Sequence, residues 1–425
     1  MISFTATGDS LILEHFPEMD KDYEIIKQQI DRGNVRITNL ETVLADEPHF
    51  ANTFSGGGWI TAPSAVLNDL EDLGFNFYAC ANNHAMDYSY GGLLSTAAEL
   101  RRRKLNFAGI GESMSLASQP AYVQTPEGRV ALFSVAALYE HQHGARAGDP
   151  HDGLPGRPGL NILRRNCYIN VTEEQFRVYS EIAEMAGAYR TEDGGYCIDN
   201  RHTIKPAKPG ETIGRYTTPN EADMNRILSQ ISASKQISSM TVVCMHAHAN
   251  KLIESYLNET EPDYYLEDFV HRAIDAGADA VVGSGCHRLR GIEIYQGKPI
   301  FYSLGNFVFT VYADSARMPY DYLEARDLPW TMPGPSAVAS SVSYDADLSI
   351  NPVYYRSVIP YWEMEDGKMK KLELLPIALD MSSVPGLKGF PHPCAPELVI
   401  DDLREASRSY GTEFAVIGDR IEVLL

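Results

Sequence analysis

Strand-length apolar runs in this chain repeatedly break off at short polar strings whose side chains bind metals or move protons. Gly8-Asp9 follows Ile2–Thr7, Asn39-Leu40-Glu41 follows Val35–Thr38, and Asn82-Asn83-His84 follows Phe75–Ala81. His246-Ala247-His248 follows Met240–Met245, and Gly283-Ser284-Gly285-Cys286-His287 follows Asp279–Val282. Helical patterns lie between the runs. They are Asp20–Asp31, Pro63–Leu73 with a proline suited to a first turn, Tyr90–Lys104 with basic residues at its end, and Asp263–Ala276. Asn106–Ala108, Arg129–Ala136, Gly291–Tyr295 and Pro299–Leu304 add further strands. The alternation predicts an α/β core with helices on the sheet faces. In such sheets ligands gather at the carboxyl ends of the strands.

The 425 residues exceed one typical domain. We expect a core over 1–139 and 236–310, an insertion over 140–235 that shapes a substrate pocket, and a β-rich C-terminal extension over 311–425 packed on the core. Tyr139 to Gly159 is a His-, Gly-, Pro- and Asp-rich loop. Helical segments at Thr172–Ala188 and Pro219–Ser232 flank a hairpin-like stretch at Asp193–Asn200. Beyond Asn306 come a loop over Ala313–Pro335 and antiparallel strands at Val338–Tyr344, Pro352–Ile359 and Lys368–Ile377. A helix over Pro396–Tyr410 then leads to strands Glu413–Val416 and Arg420–Leu425.

Thirty-six basic residues against 57 acidic ones leave a net charge of -21. That excess argues against a nucleic-acid or anionic-membrane surface, which needs basic patches. No apolar run approaches the roughly 20 residues of a membrane span, and no leader-like segment precedes the first strand. Six scattered cysteines without a CxxC pair read as thiols of a reducing compartment. The expectation is therefore a cytoplasmic protein without a membrane span.

Each polar string has a plain reading and a chemical one. Asp9 caps a turn or ligates a metal. Glu41 is a solvated acid or a ligand. Asn83 and His84 form a turn, or supply an amide oxygen and a proton donor. His246 and His248 share a face in an extended chain, a spacing that can hold a metal through both rings. His287 is structural, a ligand or an acid/base group. Five such strings in one alternation point to convergence on a cation.

The strings TGDSLI, ITNLETVL, CANNHAMDYSYGGLLST, MHAHAN, IDAGADAVVGSGCHRLRGIEIYQGKPIFYSLGNFVF and YGTEFAVIGDRIEVLL carry a more specific likeness. The chain resembles the CapA-like poly-gamma-glutamate capsule-synthesis family of the calcineurin-like metallophosphatase superfamily, over nearly its whole length. The resemblance implies an α/β (α+β) fold, a metallophosphatase-like β-sandwich flanked by helices. It implies that Asp9, Glu41, Asn83, His246, His248 and His287 ligate one or two divalent metals (Mn, Ca, Mg or Zn). His84 would be the proton donor. The chain departs from the family pattern at three places. Leu11 stands where the superfamily has a histidine, Ala249 where a glutamate is frequent, and Gly283-Ser284-Gly285-Cys286-His287 replaces a turn with two histidines and a proline. These departures favour a single, hard metal and open three functions. One is a metal-dependent hydrolase of an amide, peptide-like or phosphoester substrate. Another is a peptide epimerase with His84 and His287 as acid/base pair. The last is a non-catalytic binding protein in polymer synthesis. The expected substrate is a peptide or small anion, held by Arg157, Arg164, Arg165, Arg288 or Arg290, with Tyr139, His141 and His143 lining the same cleft.

Overall fold

Strands Gly128–Ala137 and Met240–Ala247 alternate their apolar residues between two faces, and both faces are buried. Val130, Leu132, Val242 and Cys244 point one way, into a core shared with Ile2, Phe4, Ala6, Val35, Ile37 and Phe77. Ala131, Phe133, Val135, Val243 and Met245 point the other way. Near-continuous apolar strands of this kind belong to sheets covered on both sides.

In a computed structural model the described residues are 1–17, 21–55, 57–197, 202–251, 260–311, 318–324, 326–333, 351–382 and 386–425. Two sheets face each other across the first core. The larger runs, from edge to edge, through Glu413–Ile417, Arg420–Leu424, Lys368–Leu379, Arg356–Glu365, Ile2–Leu11, Val35–Leu40, Phe77–Ala79 and Phe107–Ala108. The other runs through Ile292–Tyr295, Lys298–Phe301, Ala280–Gly285, Met240–Ala247, Gly128–Ala137 and Ala121–Thr125. Helices cover both outer faces. Tyr23, Ile26 and Ile30 of helix Lys21–Asp31 and Leu93, Ala97 and Leu100 of helix Ser89–Arg102 pack on the larger sheet. Met224, Ile227 and Ile231 of helix Glu221–Ser234 and Tyr265, Leu266, Phe269 and Val270 of helix Tyr264–Asp275 pack on the smaller one. The chain thus forms the expected β-sandwich flanked by helices.

A separate five-stranded sheet is built from Arg165–Val171, Tyr189–Arg190, Tyr196–Cys197, His202–Pro206 and Gly214–Pro219. Helix Glu173–Met185 accompanies it, started by a capping box in which Thr172 and Gln175 exchange bonds. Tyr189–Arg190 and Tyr196–Cys197 pair antiparallel, the expected hairpin, although residues 198–200 lie outside the described residues. Arg165 and Arg215 tie this sheet to the core through Asp263, at 3.1 and 2.7 Å, and Asp263 also caps helix Tyr264–Asp275.

Several expectations change. Ile2–Leu11, Val35–Leu40, Met240–Ala247 and Ala280–Gly285 continue into their polar strings, so Asp9, Asn39, His246 and Ser284 lie inside strands. Pro352–Tyr355 is a 3-10 turn started by Asn351, and the strand begins at Arg356. Pro396–Tyr410 breaks into two short 3-10 turns around helix Ile400–Ser407. Strand Val338–Tyr344 and most of the Ala313–Pro335 loop lie outside the described residues. Asp366 and Gly367, both with positive φ (50° and 71°), close the hairpin between Arg356–Glu365 and Lys368–Leu379. Among the described residues no helix is long and apolar enough to cross a membrane.

Candidate metal centre

The parallel strands of both sheets end on one edge of the sandwich, and the polar strings meet there. Asp9 is brought in by a local irregularity. The pairing of Ile2–Leu11 with Val35–Leu40 shifts between Ala6 and Asp9, which then stands opposite Asn39 on one side and Asn306 on the other. The Asp9 N–H donates to the Gly305 carbonyl at 2.9 Å. A Cβ on Gly8 would sit 1.8 Å from that same oxygen, so only glycine allows the approach.

The Asp9 carboxylate is fully buried. It accepts the Gly285 N–H on both oxygens, at 3.1 and 2.9 Å, and the Asn39 amide at 2.8 Å. His246 Nδ1 lies 3.7 Å from one of its oxygens and His287 Nδ1 3.6 Å from the other. Glu41 is also fully buried. Asn39 reaches its Oε2 at 3.4 Å, while Oε1 faces His246 Nε2 at 3.5 Å and His84 Nε2 at 4.0 Å.

Glu41 Oε1 and His246 Nε2 have no hydrogen-bond partner among the described residues. Buried polar atoms are otherwise almost always satisfied. A carboxylate oxygen and an imidazole nitrogen aimed at one small volume are the donors a divalent cation takes. Two overlapping groups meet that requirement, Asp9 with Glu41 and His246, and Glu41 with His248 and His287. In each, one donor atom per residue lies within 4.8 Å of the others. Glu41 is common to both.

Burial sets the protonation pattern. Burial, then the Asp9 charge, pushes the Glu41 carboxyl well above the usual range. Burial, then the neighbouring His248, His287 and His84, pushes His246 well below it. Burial also lowers His287, against an opposing pull from Asp9 and Asn306. Neutral imidazoles are the form that ligates.

The networks around His84 and His287 orient both rings. Asn306 Nδ2 donates to the His287 and Tyr354 carbonyls at 3.2 and 2.9 Å, so its Oδ1 accepts from His287 Nδ1 at 2.9 Å. His84 Nδ1 is held by Asp87 Oδ2 at 2.7 Å, and that oxygen also accepts the Ile60 N–H at 2.8 Å. In each ring Nε2 is left to face the site. His287 itself has a left-handed backbone, φ 58°, unusual for a histidine and a local strain at the turn. Half-buried His248 sits between His246 and His287, at ring separations of 5.2 and 5.3 Å, and the Arg290 guanidinium holds its carbonyl at 2.9 Å.

The other expected residues are more scattered. Asn83 is buried next to His84. Its neighbour Asn82 ties the strings together, donating to Asn39 Oδ1 at 3.3 Å and Leu40 O at 2.8 Å. The Tyr139 ring lies 6.3 Å from that of His248 and stacks with His141, while His143 lies with His141 in the 3-10 turn Glu140–Ala145. Arg164 is engaged by Asp223 at 2.6 Å and Arg165 by Asp263 at 3.1 Å. Arg157 is exposed and donates to the Arg146 carbonyl at 3.2 Å. Arg288 is half-buried beside His287. Asn39, Asp87, Ser284 and Asn306 enter the site without having been assigned a role from sequence. Ser284 reaches His246 Nδ1 at 3.2 Å. Of these, Asn39 and Ser284 lie within the polar strings themselves, and Asp87 stands three residues beyond His84.

The family described as bacterial capsule synthesis protein PGA_cap matches residues 3–311. An uncharacterised protein of Sinorhizobium fredii is 30% identical over 99% of this chain and 92% of its own length. The PGA biosynthesis protein CapA of Bacillus subtilis is 26% identical over 59% of this chain and 48% of its own length. A putative 5'-nucleotidase structure from Staphylococcus aureus overlays with 12% identity and a TM-score of 0.39, covering 89% of this chain and 55% of that one.

Proposed function

Because the chain belongs to the bacterial capsule synthesis protein PGA_cap family, we propose that it is a metal-dependent hydrolase of an amide, peptide-like or phosphoester bond. The observation that carries the reading is the pair of unsatisfied buried donors, Glu41 Oε1 and His246 Nε2, 3.5 Å apart and flanked by Asp9 and His287. Asp9, Glu41, His246, His248 and His287, with Asn83 as an amide donor, would hold the cation. Two carboxylates with imidazoles suit Mn or Zn better than Ca or Mg, whose ligands are nearly all oxygen. When bound, the cation supplies Lewis-acid polarisation of a carbonyl or phosphoryl oxygen.

The protein's own groups do the rest. Asp87 fixes the His84 ring through Nδ1, so Nε2 is the atom that delivers a proton to the leaving group. Asn39 spans Asp9 and Glu41 and holds their separation. Asn306 keeps the His287 proton on Nδ1. The relative named for PGA biosynthesis supports a polyglutamate-like substrate for this chain. Buried thiols at Cys80, Cys197, Cys244 and Cys286 fit a reducing compartment and support a cytoplasmic location.

A second reading, peptide epimerisation, is favoured by one feature. His84 and His287 are both buried, and both are anchored through Nδ1 with Nε2 left to act as acid or base. The two readings separate in one experiment. Protein loaded with Mn or Zn is offered ester, phosphoester and glutamyl-peptide substrates in deuterated water. Hydrolysis supports the first reading, and deuterium entering Cα without cleavage supports the second. Neither outcome at any metal loading would leave a binding protein.

A further inference from the structure

Around the first turn of helix Glu221–Ser234 the chain gathers more positive charge than it neutralises. Asp223, fully buried in the first turn of helix Glu221–Ser234, is met by three guanidiniums. Arg164 Nε lies 2.6 Å away, Arg146 Nε 3.3 Å and an Arg226 nitrogen 3.6 Å. Arg157 joins them, donating to the Arg146 carbonyl, with no carboxylate at ion-pair distance among the described residues. Asp149 is the other acid close to Arg146. Glu221, the remaining acid of that helix turn, is held by both terminal nitrogens of Arg272 at 2.8 and 2.9 Å. Among the described residues four guanidiniums therefore face two carboxylates, in a chain whose net charge is -21.

Elementary electrostatics makes this arrangement costly. A helix N-terminus already carries partial positive charge and disfavours cations. Asp223 alone would be satisfied by one bidentate arginine, and Arg164 supplies that contact through Nε and a terminal nitrogen, at 2.6 and 3.2 Å. Arg226 is used structurally, donating to the Asn161 side chain and to the Ile162 carbonyl. Arg146 and Arg164 keep 27% and 34% of their side chains exposed, and Arg157 is exposed as well. Among the described residues each keeps at least one terminal guanidinium nitrogen not engaged by Asp223 or by a carbonyl, and planar guanidiniums are the groups that bind oxyanions.

We propose that Arg146 and Arg164, held on Asp223, together with Arg157, held on the Arg146 carbonyl, form an oxyanion-binding subsite for a carboxylate or phosphate group of a ligand. The subsite goes beyond the hydrolase reading and does not require a bound metal. A chain of glutamate carboxylates and a free phosphate share the chemistry, and the test tells them apart.

The test is calorimetric titration of the whole protein, at low salt and with chelator present, using triglutamate and inorganic phosphate as separate probes. Binding measured this way does not depend on the metal centre, so its failure is distinct from failure of the hydrolase reading. Wild type binds one or both probes, and R146Q/R157Q binds at least about 10-fold more weakly, the size expected from losing a charge-assisted contact. Triglutamate preferred over phosphate identifies a polymeric carboxylate, and the reverse a free oxyanion. A second arm uses D223N, which removes the internal anion. Phosphate then raises its melting temperature more than that of wild type. If D223N does not fold, the R146Q/R157Q titration decides alone. No binding of either probe to wild type, or equal binding to R146Q/R157Q, overturns the proposal.

Discussion

Asp87 and His84 form a closed pair: one carboxylate oxygen takes the imidazole Nδ1 at 2.7 Å and the Ile60 N–H at 2.8 Å, with both side chains buried. The Ile60 contact fixes the carboxylate, and the carboxylate fixes the ring. D87N keeps an oxygen for Ile60 but loses the charge that orients His84. We expect turnover of any substrate the wild type cleaves to fall by about 100-fold or more, in kcat rather than KM. Metal content should be unchanged. A fall confined to KM would mean that the pair positions substrate instead.

The apolar strands and the outer helices were legible in the sequence, because each pattern is local, whereas Asp87 was assigned no role although i and i+3 meet within one turn. Other features depended on distant pairing. Gly8-Asp9 resembles a strand end because a polar residue follows glycine. The strand continues there because Gly305 and Asn306 arrive from the far end of the sandwich. Asn306 carries no local signal, because its amide works by bridging the His287 and Tyr354 carbonyls, which are distant in sequence. Pro352 starts a 3-10 turn capped by Asn351, where β-branched and aromatic neighbours suggested a strand. Arg164 and Arg165 read as unpaired in the sequence, because their partners Asp223 and Asp263 lie about 60 and 100 residues away.

Gly8 carries the closest backbone approach at the centre. G8A places a methyl 1.8 Å from the Gly305 carbonyl, which forces two central strands apart. A loss above about 3 kcal/mol in urea unfolding, or failure to fold, is expected. A loss below about 1 kcal/mol would show that the strands adjust freely.

Glu41 makes the metal-free protein sensitive to pH. Its carboxyl is raised by burial and by Asp9, so the native state holds a proton that the unfolded state, with a value of about 4.3, releases. Stability from this group therefore falls as pH rises above that value. In chelator, E41Q should match wild type near pH 4 and become the more stable of the two as pH increases. A constant difference across pH would refute this.

His271 works in the opposite sense. Its hydrogen bond to Glu293, at 2.9 Å, raises its pKa against the opposing effect of burial. The contribution is fully present below the unfolded value of about 6.5 and disappears as pH rises through the folded value. The pair is partly exposed, so the effect stays below about 1 kcal/mol. H271Q should lower the melting temperature near pH 5 and leave it unchanged near pH 9. An equal loss at both would assign the contact to packing on Tyr295, whose ring stacks 4.3 Å away.

The most direct test is elemental analysis of the protein after equilibration with Mn or Zn and removal of unbound ion, compared with E41Q/H246Q. The wild type should retain at least one ion per chain and melt at a higher temperature than its chelated form. The double variant, folded by circular dichroism, should retain none and show no shift. A wild type that holds no ion at saturating metal, or a double variant that binds as well, would contradict the convergence of Asp9, Glu41, His246 and His287 on a metal.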